Sequence, residues 1–169
     1  MDEDKIQQLL QHSLDQHYEE ILNFMYLRVG NRAEAEDLTQ DTYLASVKAI
    51  TGYRQEASLR TWIFSIARRT LADAYERKTK GRKLMRTLKH HFRFQHHSES
   101  HEENAALFSI LETLPQDDRE LVILKHYFGF TYNEMAEMTG LTASNIGVKL
   151  SRAAKRLKSL AKGGDHEPV

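Results

Sequence analysis

Residues Phe130–Leu157 read FTYNEMAEMTGLTASNIGVKLSRAAKRL, and their reading decides the fold of the C-terminal part of the chain. Thr131 followed three residues later by Glu134 is a capping box, in which each side chain satisfies a free backbone N–H of the other. A short helix over Tyr132–Thr139 is expected after it, with Ala136 small where two helices must approach closely. Gly140 supplies the turn, and Thr142 caps the next helix. In that helix Ile146, Leu150, Ala153, Leu157 and Leu160 fall on one face, and Asn145, Val148, Lys149, Arg152 and Arg156 on the other. Two helices joined by a tight glycine turn form a helix-turn-helix pattern, and the second helix has the shape and charge to enter a major groove. Asparagine and basic side chains there can bond base edges and phosphates. The plainer alternative is a helical hairpin with a solvated face.

A second informative stretch is Ser58–Arg77, SLRTWIFSIARRTLADAYER, which holds the only tryptophan, Trp62. Leu59, Trp62, Ile63, Ile66 and Thr70 recur at helical spacing, and Ser58 is placed to cap the helix. Arg60, Arg68 and Arg69 flank the aromatic run, and Arg77, Lys78 and Lys80 follow it. A helix carrying aromatic and cationic groups together can stack bases and neutralise phosphates of a single strand. Alone, the segment reads first as a core helix with solvated arginines, since amphipathic helices are the default. Upstream, Ala35–Tyr43 reads AEDLTQDTY; Asp37 and Asp41 share a helical face through i,i+4 spacing, suited to a basic partner or simply to water.

The formal net charge of the 169 residues is zero, but the charge is segregated. Residues 1–46 hold ten acids and three bases, residues 60–93 eleven bases and two acids, residues 94–140 nine acids and two bases, and residues 141–162 six bases and no acid. Such blocks either form separate partner surfaces, basic ones for nucleic acid, or neutralise each other in the fold. Without cysteine the chain has neither disulfides nor thiolate metal sites. No apolar run approaches the roughly 20 residues of a membrane span, and the acidic N-terminus lacks a secretory pattern, so a cytoplasmic location is expected. No Gly-rich phosphate loop, nucleophile motif or HExxH is present, which argues against an enzyme and against a bound cofactor.

Strand patterning is nearly absent and proline occurs only at 115 and 168, so an all-α fold is expected. It comprises two small helical domains joined by a flexible linker, the second a helix-turn-helix domain. In the first domain, residues 1–80, helices over His12–Val29 and Ala33–Ile50 are separated by Gly30-Asn31, both tolerant of left-handed backbone. Thr51-Gly52 ends the second, and Tyr53–Ala57 is a loop. Residues 81–105 form the linker; His90, His91, His96, His97 and His101 there read as solvated side chains, with no metal expected. In the second domain, residues 106–162, Pro115 separates a helix ending at Leu114 from one starting near Asp117, which Gly129 stops.

The three blocks, in this order and spacing, resemble the bacterial extracytoplasmic-function (ECF) sigma factors. The resemblance implies a non-catalytic subunit that binds core RNA polymerase and directs promoter recognition, promoter melting and transcription initiation. It implies that Asp37, Leu38, Gln40 and Asp41 dock on polymerase. Tyr53, Arg54 and Gln55 would belong to the loop that captures a flipped-out base of the minus-ten element. Arg60, Trp62, Arg68 and Arg69 would help hold the melted strand, and Asn145, Val148, Lys149, Arg152 and Arg156 would meet the minus-thirty-five element. It further implies an anti-sigma partner, often membrane-bound. Leu59 stands where the family commonly has an aromatic residue, Gly147 where it has Lys or Arg, and Lys149 where Arg is more usual. The competing reading is an ordinary helix-turn-helix regulator with an N-terminal dimerisation or ligand domain, which would bind duplex DNA without polymerase.

Overall fold

The computed structural model describes residues 3–88 and 102–163. Seven α-helices form among them, with no strand: α1 (Glu3–Val29), α2 (Arg32–Ala49), α3 (Leu59–Leu88), α4 (Glu102–Glu112), α5 (Gln116–Val122), α6 (Tyr132–Thr139) and α7 (Ala143–Gly163). A 3-10 turn over Ile50–Gly52 follows α2, and a π-helical turn over Ile123–Tyr127 follows α5. The chain divides into two compact units, with the boundary between Ser100 and His101.

In the first unit α1, α2 and α3 pack on one another. Leu10, Leu14, Ile21, Leu22, Phe24 and Met25 of α1 are buried with Ala35 and Leu38 of α2 and Ile63, Phe64, Ala67 and Leu71 of α3. Phe24 and Phe64 meet edge to face at 5.6 Å between centroids, a geometry that adds to the area they bury. The inward face of α2 is unusual in being partly hydroxylic. Thr39, Thr42 and Ser46 are buried, and each hydroxyl donates to the carbonyl four residues earlier, at 2.7, 2.8 and 2.8 Å. That internal bond removes the penalty of burying the hydroxyl and leaves a small side chain, so neighbouring helices can approach.

Local signals set most boundaries. Gly30 (φ 69°) closes α1 by donating to the Tyr26 carbonyl at 2.8 Å. Asn31 is extended, and its side chain caps α2 by accepting from the Glu34 amide at 2.9 Å. Ser58 accepts from the Thr61 amide at 3.1 Å and caps α3. Helix α1 begins at Glu3 rather than His12, and the expected 81–105 linker is helical to Leu88 in α3 and again from Glu102 in α4. The linker histidines, residues 90–101, lie outside the described residues.

The buried stripe of α3 also differs from the expected one. Ile63, Phe64, Ala67 and Leu71 are its centre, while Leu59, Trp62 and Ile66 sit half-buried at its edge. Phe64, which faces both Phe24 and the Arg60 guanidinium, draws the helix round by its size.

In the second unit Pro115 precedes α5, and Arg119 donates to the carbonyls of Glu112 (3.1 Å) and Leu114 (3.4 Å), covering the open end of α4. The π turn ends with the Phe128 amide donating to Ile123, and left-handed Gly129 (φ 72°) reverses the chain. The capping box at α6 forms as expected: the Glu134 amide donates to Thr131 Oγ1 at 3.2 Å and the Thr131 amide to Glu134 Oε2 at 2.8 Å. Gly140 is left-handed (φ 71°), and Thr142 Oγ1 accepts from the Asn145 amide at 3.1 Å. Leu121, Leu124, Phe130, Met135, Ile146, Leu150 and Ala153 fill the core.

Candidate nucleic-acid and polymerase interfaces

Helix α2 turns its small inward face to α1 and α3, so Asp37, Gln40 and Asp41 are left exposed on the other side. No ion pair engages these three among the described residues. Leu38 does not join them. It is 4% exposed and packs inward, away from the face that carries the other three. Two residues not singled out by sequence extend the exposed face: Leu44 (60% exposed) and Val47 (52% exposed). The signal was available, since positions 37, 40, 41, 44 and 47 fall within one helical stripe. A groove of about 480 Å³ lies beside it, lined by Asp41, Leu44, Ala45 and Lys48 of α2 and Thr70, Asp73 and Arg77 of α3.

The loop from Tyr53 to Ala57 is closed on itself. The Tyr53 hydroxyl donates to the Ala57 carbonyl at 2.7 Å, and its ring packs against Trp62 at 5.2 Å and 50°. Burial pushes the Tyr53 hydroxyl pKa up from its ordinary value. Gln55 is held at φ 59°, the single left-handed non-glycine residue among those described. That region is costly for a side chain with a Cβ, and a loop closed at both ends can sustain it. Arg54 is exposed and pairs with Glu56 at 3.3 Å.

The arginines of α3 divide. Arg60 donates to Glu20 of α1 at 2.7 Å, and its guanidinium lies 5.5 Å from the Phe64 ring centre, so it is tied to the helical packing. His17 Nδ1 approaches the same Glu20 oxygen at 3.6 Å. Arg68 is half-buried and Arg69 exposed. Of the basic groups that follow, Lys78 pairs with Glu34 of α2 and Lys80 with Glu76 at 2.7 Å. The Lys80 bond lowers the pKa of Glu76 and raises that of Lys80.

On α7, Asn145, Val148, Arg152 and Arg156 are exposed together as expected, opposite the buried Ile146, Leu150 and Ala153. Lys149 differs: it is half-buried, with Nζ 3.7 Å from Asp118 Oδ1 of α5. Leu160, expected on the apolar face, is 50% exposed. Helix α7 spans about 31 Å at about 1.5 Å per residue, so its last turns outrun the shorter α5 and α6 that cover its start. Gly147 lies beside the Tyr132 ring of α6; a Cβ there would meet Tyr132 Cε2 at 3.5 Å. The Lys125 ammonium sits 5.0 Å from the centre of that ring and donates to the Phe130 carbonyl at 3.3 Å.

Among the described residues no three His, Asp or Glu side chains converge as a metal site, and no helix is long and apolar enough to cross a membrane. An aromatic-basic helix with a closed loop before it, and a helix-turn-helix whose second helix exposes a polar and basic face, define an all-α DNA-binding protein.

Comparison with known proteins is specific. Residues 14–81 match Sigma-70 region 2, and residues 104–157 match Sigma-70 region 4. The RNA polymerase sigma factor YlaC of Bacillus subtilis is 28% identical over 162 residues, covering 91% of this chain and 93% of that protein. The ECF RNA polymerase sigma factor EcfG of Rhodopseudomonas palustris is 31% identical over 136 residues, covering 78% of this chain and 73% of that protein. The fold is similar to that of the sigma factor RpoE of Bartonella quintana, solved with the anti-sigma factor NepR (TM-score 0.75, 23% identity, 90% of this chain and 96% of that one). It is also similar to CnrH, solved with the cytosolic domain of CnrY (TM-score 0.71, 22% identity, 95% of this chain and 91% of that one). The chain belongs to the ECF group of the sigma-70 family. It is an RNA polymerase sigma factor, acting in promoter recognition and transcription initiation as a regulatory DNA-binding protein.

Proposed function

We propose that this sigma factor divides its work among the three surfaces. The exposed acidic face of α2, Asp37, Gln40 and Asp41, docks on a basic surface of core RNA polymerase, with Leu38 bracing the helix from behind. The loop carrying Tyr53, Arg54 and Gln55 captures an unstacked base of the minus-ten element. Trp62, Arg68 and Arg69 hold the melted strand beside it, and Arg60 keeps α3 seated on α1. Unstacking a base costs a few kcal/mol, which a fitted pocket and backbone contacts offset. Helix α7 reads the minus-thirty-five duplex through Asn145, Val148, Lys149, Arg152 and Arg156. Residues 1–80 and 106–162 are the two working domains and 81–105 their connection. The protein has no catalytic activity of its own and works in the cytoplasm. An anti-sigma factor holds it inactive, as the complexes of RpoE with NepR and of CnrH with CnrY suggest.

The observation that carries this reading is exposure without internal commitment. Asp37, Gln40 and Asp41 on α2, and Asn145, Arg152 and Arg156 on α7, are all at the surface, and among the described residues none is tied into an ion pair. The test is co-purification with core polymerase followed by run-off transcription on a pool of genomic promoters. The expected result is binding to core and transcripts from a shared two-element promoter, both lost in Asp37→Arg. Binding to duplex DNA without any association with polymerase would overturn it.

A further inference from the structure

We infer that Asp118 competes with the DNA backbone for Lys149 and so limits how strongly α7 grips DNA, an inference that rests on the reading of α7 as the DNA-facing helix. The contrast lies within one helix face. Arg152 and Arg156 are exposed and have no acidic partner among the described residues. Lys149, about one turn earlier, is 28% exposed in its side chain and lies 3.7 Å from Asp118 Oδ1, itself 21% exposed. At that separation the two groups attract as charges but are too far apart for a direct hydrogen bond.

The chemistry of the pair suits exchange. A lysine carries a compact charge on a flexible four-carbon stem, so Nζ can leave a carboxylate for a phosphate by rotating its own bonds. An arginine locked in a two-bond fork could not do so as easily. Asp118 belongs to the first turn of α5, where the helix dipole favours a negative charge, and α5 packs directly on α7. The short aspartate stem keeps its carboxylate close to the α5 backbone, while the long lysine stem lets the ammonium move. When a phosphodiester reaches the exposed face, Lys149 must give up Asp118 to contribute, and the carboxylate left behind repels the backbone. Both effects lower affinity, and the first, the withheld lysine, removes close to one phosphate contact from the salt dependence.

The test is the salt dependence of binding by the full chain to a fluorescent mixed-sequence duplex, since the backbone contribution does not depend on sequence. Asp118→Asn should bind more tightly than the wild type, with a log–log slope steeper by about 0.9, so its advantage shrinks about 3.5-fold from about 50 to about 200 mM salt. In a Lys149→Ala background the same substitution should leave the slope unchanged. An unchanged slope in the Lys149 chain, or an equal change in both backgrounds, overturns the inference. Arg152→Ala separates this from the functional reading. If it lowers the slope by about 0.9 while Asp118→Asn does nothing, only the role of Asp118 fails. If neither changes the slope, α7 is not on the DNA and the underlying reading fails with it. Thermal unfolding checks each variant's fold, and Asp118→Ser is the second neutral variant if Asn disturbs the start of α5.

Discussion

At the scale of single residues, the structure separates groups that look alike in sequence. Arg60 and Arg69 both flank Trp62 on α3, yet Arg60 is bonded to Glu20 at 2.7 Å and Arg69 points to solvent. Arg60→Ala should therefore lower stability by about 1 kcal/mol, because it removes the bond to Glu20 and loosens α1 from α3. Arg69→Ala should leave stability within about 0.5 kcal/mol and weaken single-strand binding instead. Urea unfolding of each variant, beside titration with a labelled single strand, checks both halves. Gln55 gives a sharper case. Its left-handed backbone costs about 1 kcal/mol, which glycine does not incur, though glycine loses part of that gain through the freer unfolded chain. Gln55→Gly should then match or exceed the wild type in stability while losing open-complex formation in a permanganate footprint. A variant that unfolds early would show that the loop needs the glutamine side chain for its own closure.

At the scale of helices, α6 and α7 follow local rules closely enough to predict the outcome of small changes. Gly147 lies inside α7 with ordinary negative φ, and an added methyl would meet only the Tyr132 ring edge, at van der Waals distance. Gly147→Ala should raise stability by up to about 1 kcal/mol, seen as a higher urea midpoint with an unchanged m-value. The reciprocal change removes a cap: Thr131→Ala should cost about 1 kcal/mol by freeing the Glu134 amide and undoing the capping box. These elements were legible because their signals are local: a threonine and a glutamate three apart, a glycine at the turn, a second threonine at the next cap. The π turn at Ile123–Tyr127 was not legible. It carries no local marker, and arises where α5 must reach both the Phe130 core position and the left-handed Gly129.

At the scale of the whole molecule, stability at high pH is coupled most strongly to one half-buried phenol, Tyr43. The Tyr43 hydroxyl donates to the Leu14 carbonyl, joining α2 to α1, and its pKa is pushed up to about 12 by burial first, then by the charges of Asp15 and Tyr18. The folded pKa stands above the unfolded one of about 10, so the folded state holds this proton more tightly. The stabilisation is fully present below pH about 10 and is lost as the pH rises from about 10 through 12. The urea midpoint should fall across that window, and Tyr43→Phe should flatten the fall while lowering the plateau at neutral pH by about 1 kcal/mol. A variant that falls as steeply as the wild type would place the titration elsewhere.

The all-α class, the helix-turn-helix, its caps and turn glycine, the segregation of charge and the family are legible in the order of the residues. All of these depend on residues within a few positions of one another or on the order of blocks along the chain. Which side chains of each block stay exposed was set by the packing of one helix on another. Leu38 went inward because α2 packs through it, and Arg60 was taken by Glu20 forty residues away. Trp62 was left at the edge because Phe64 claimed the centre of the core. Lys149 was drawn to Asp118, thirty-one residues earlier, while its neighbours on α7 stayed open. Helical periodicity places a residue on a face to within part of a turn, whereas exposure and pairing depend on what a distant helix brings to that face.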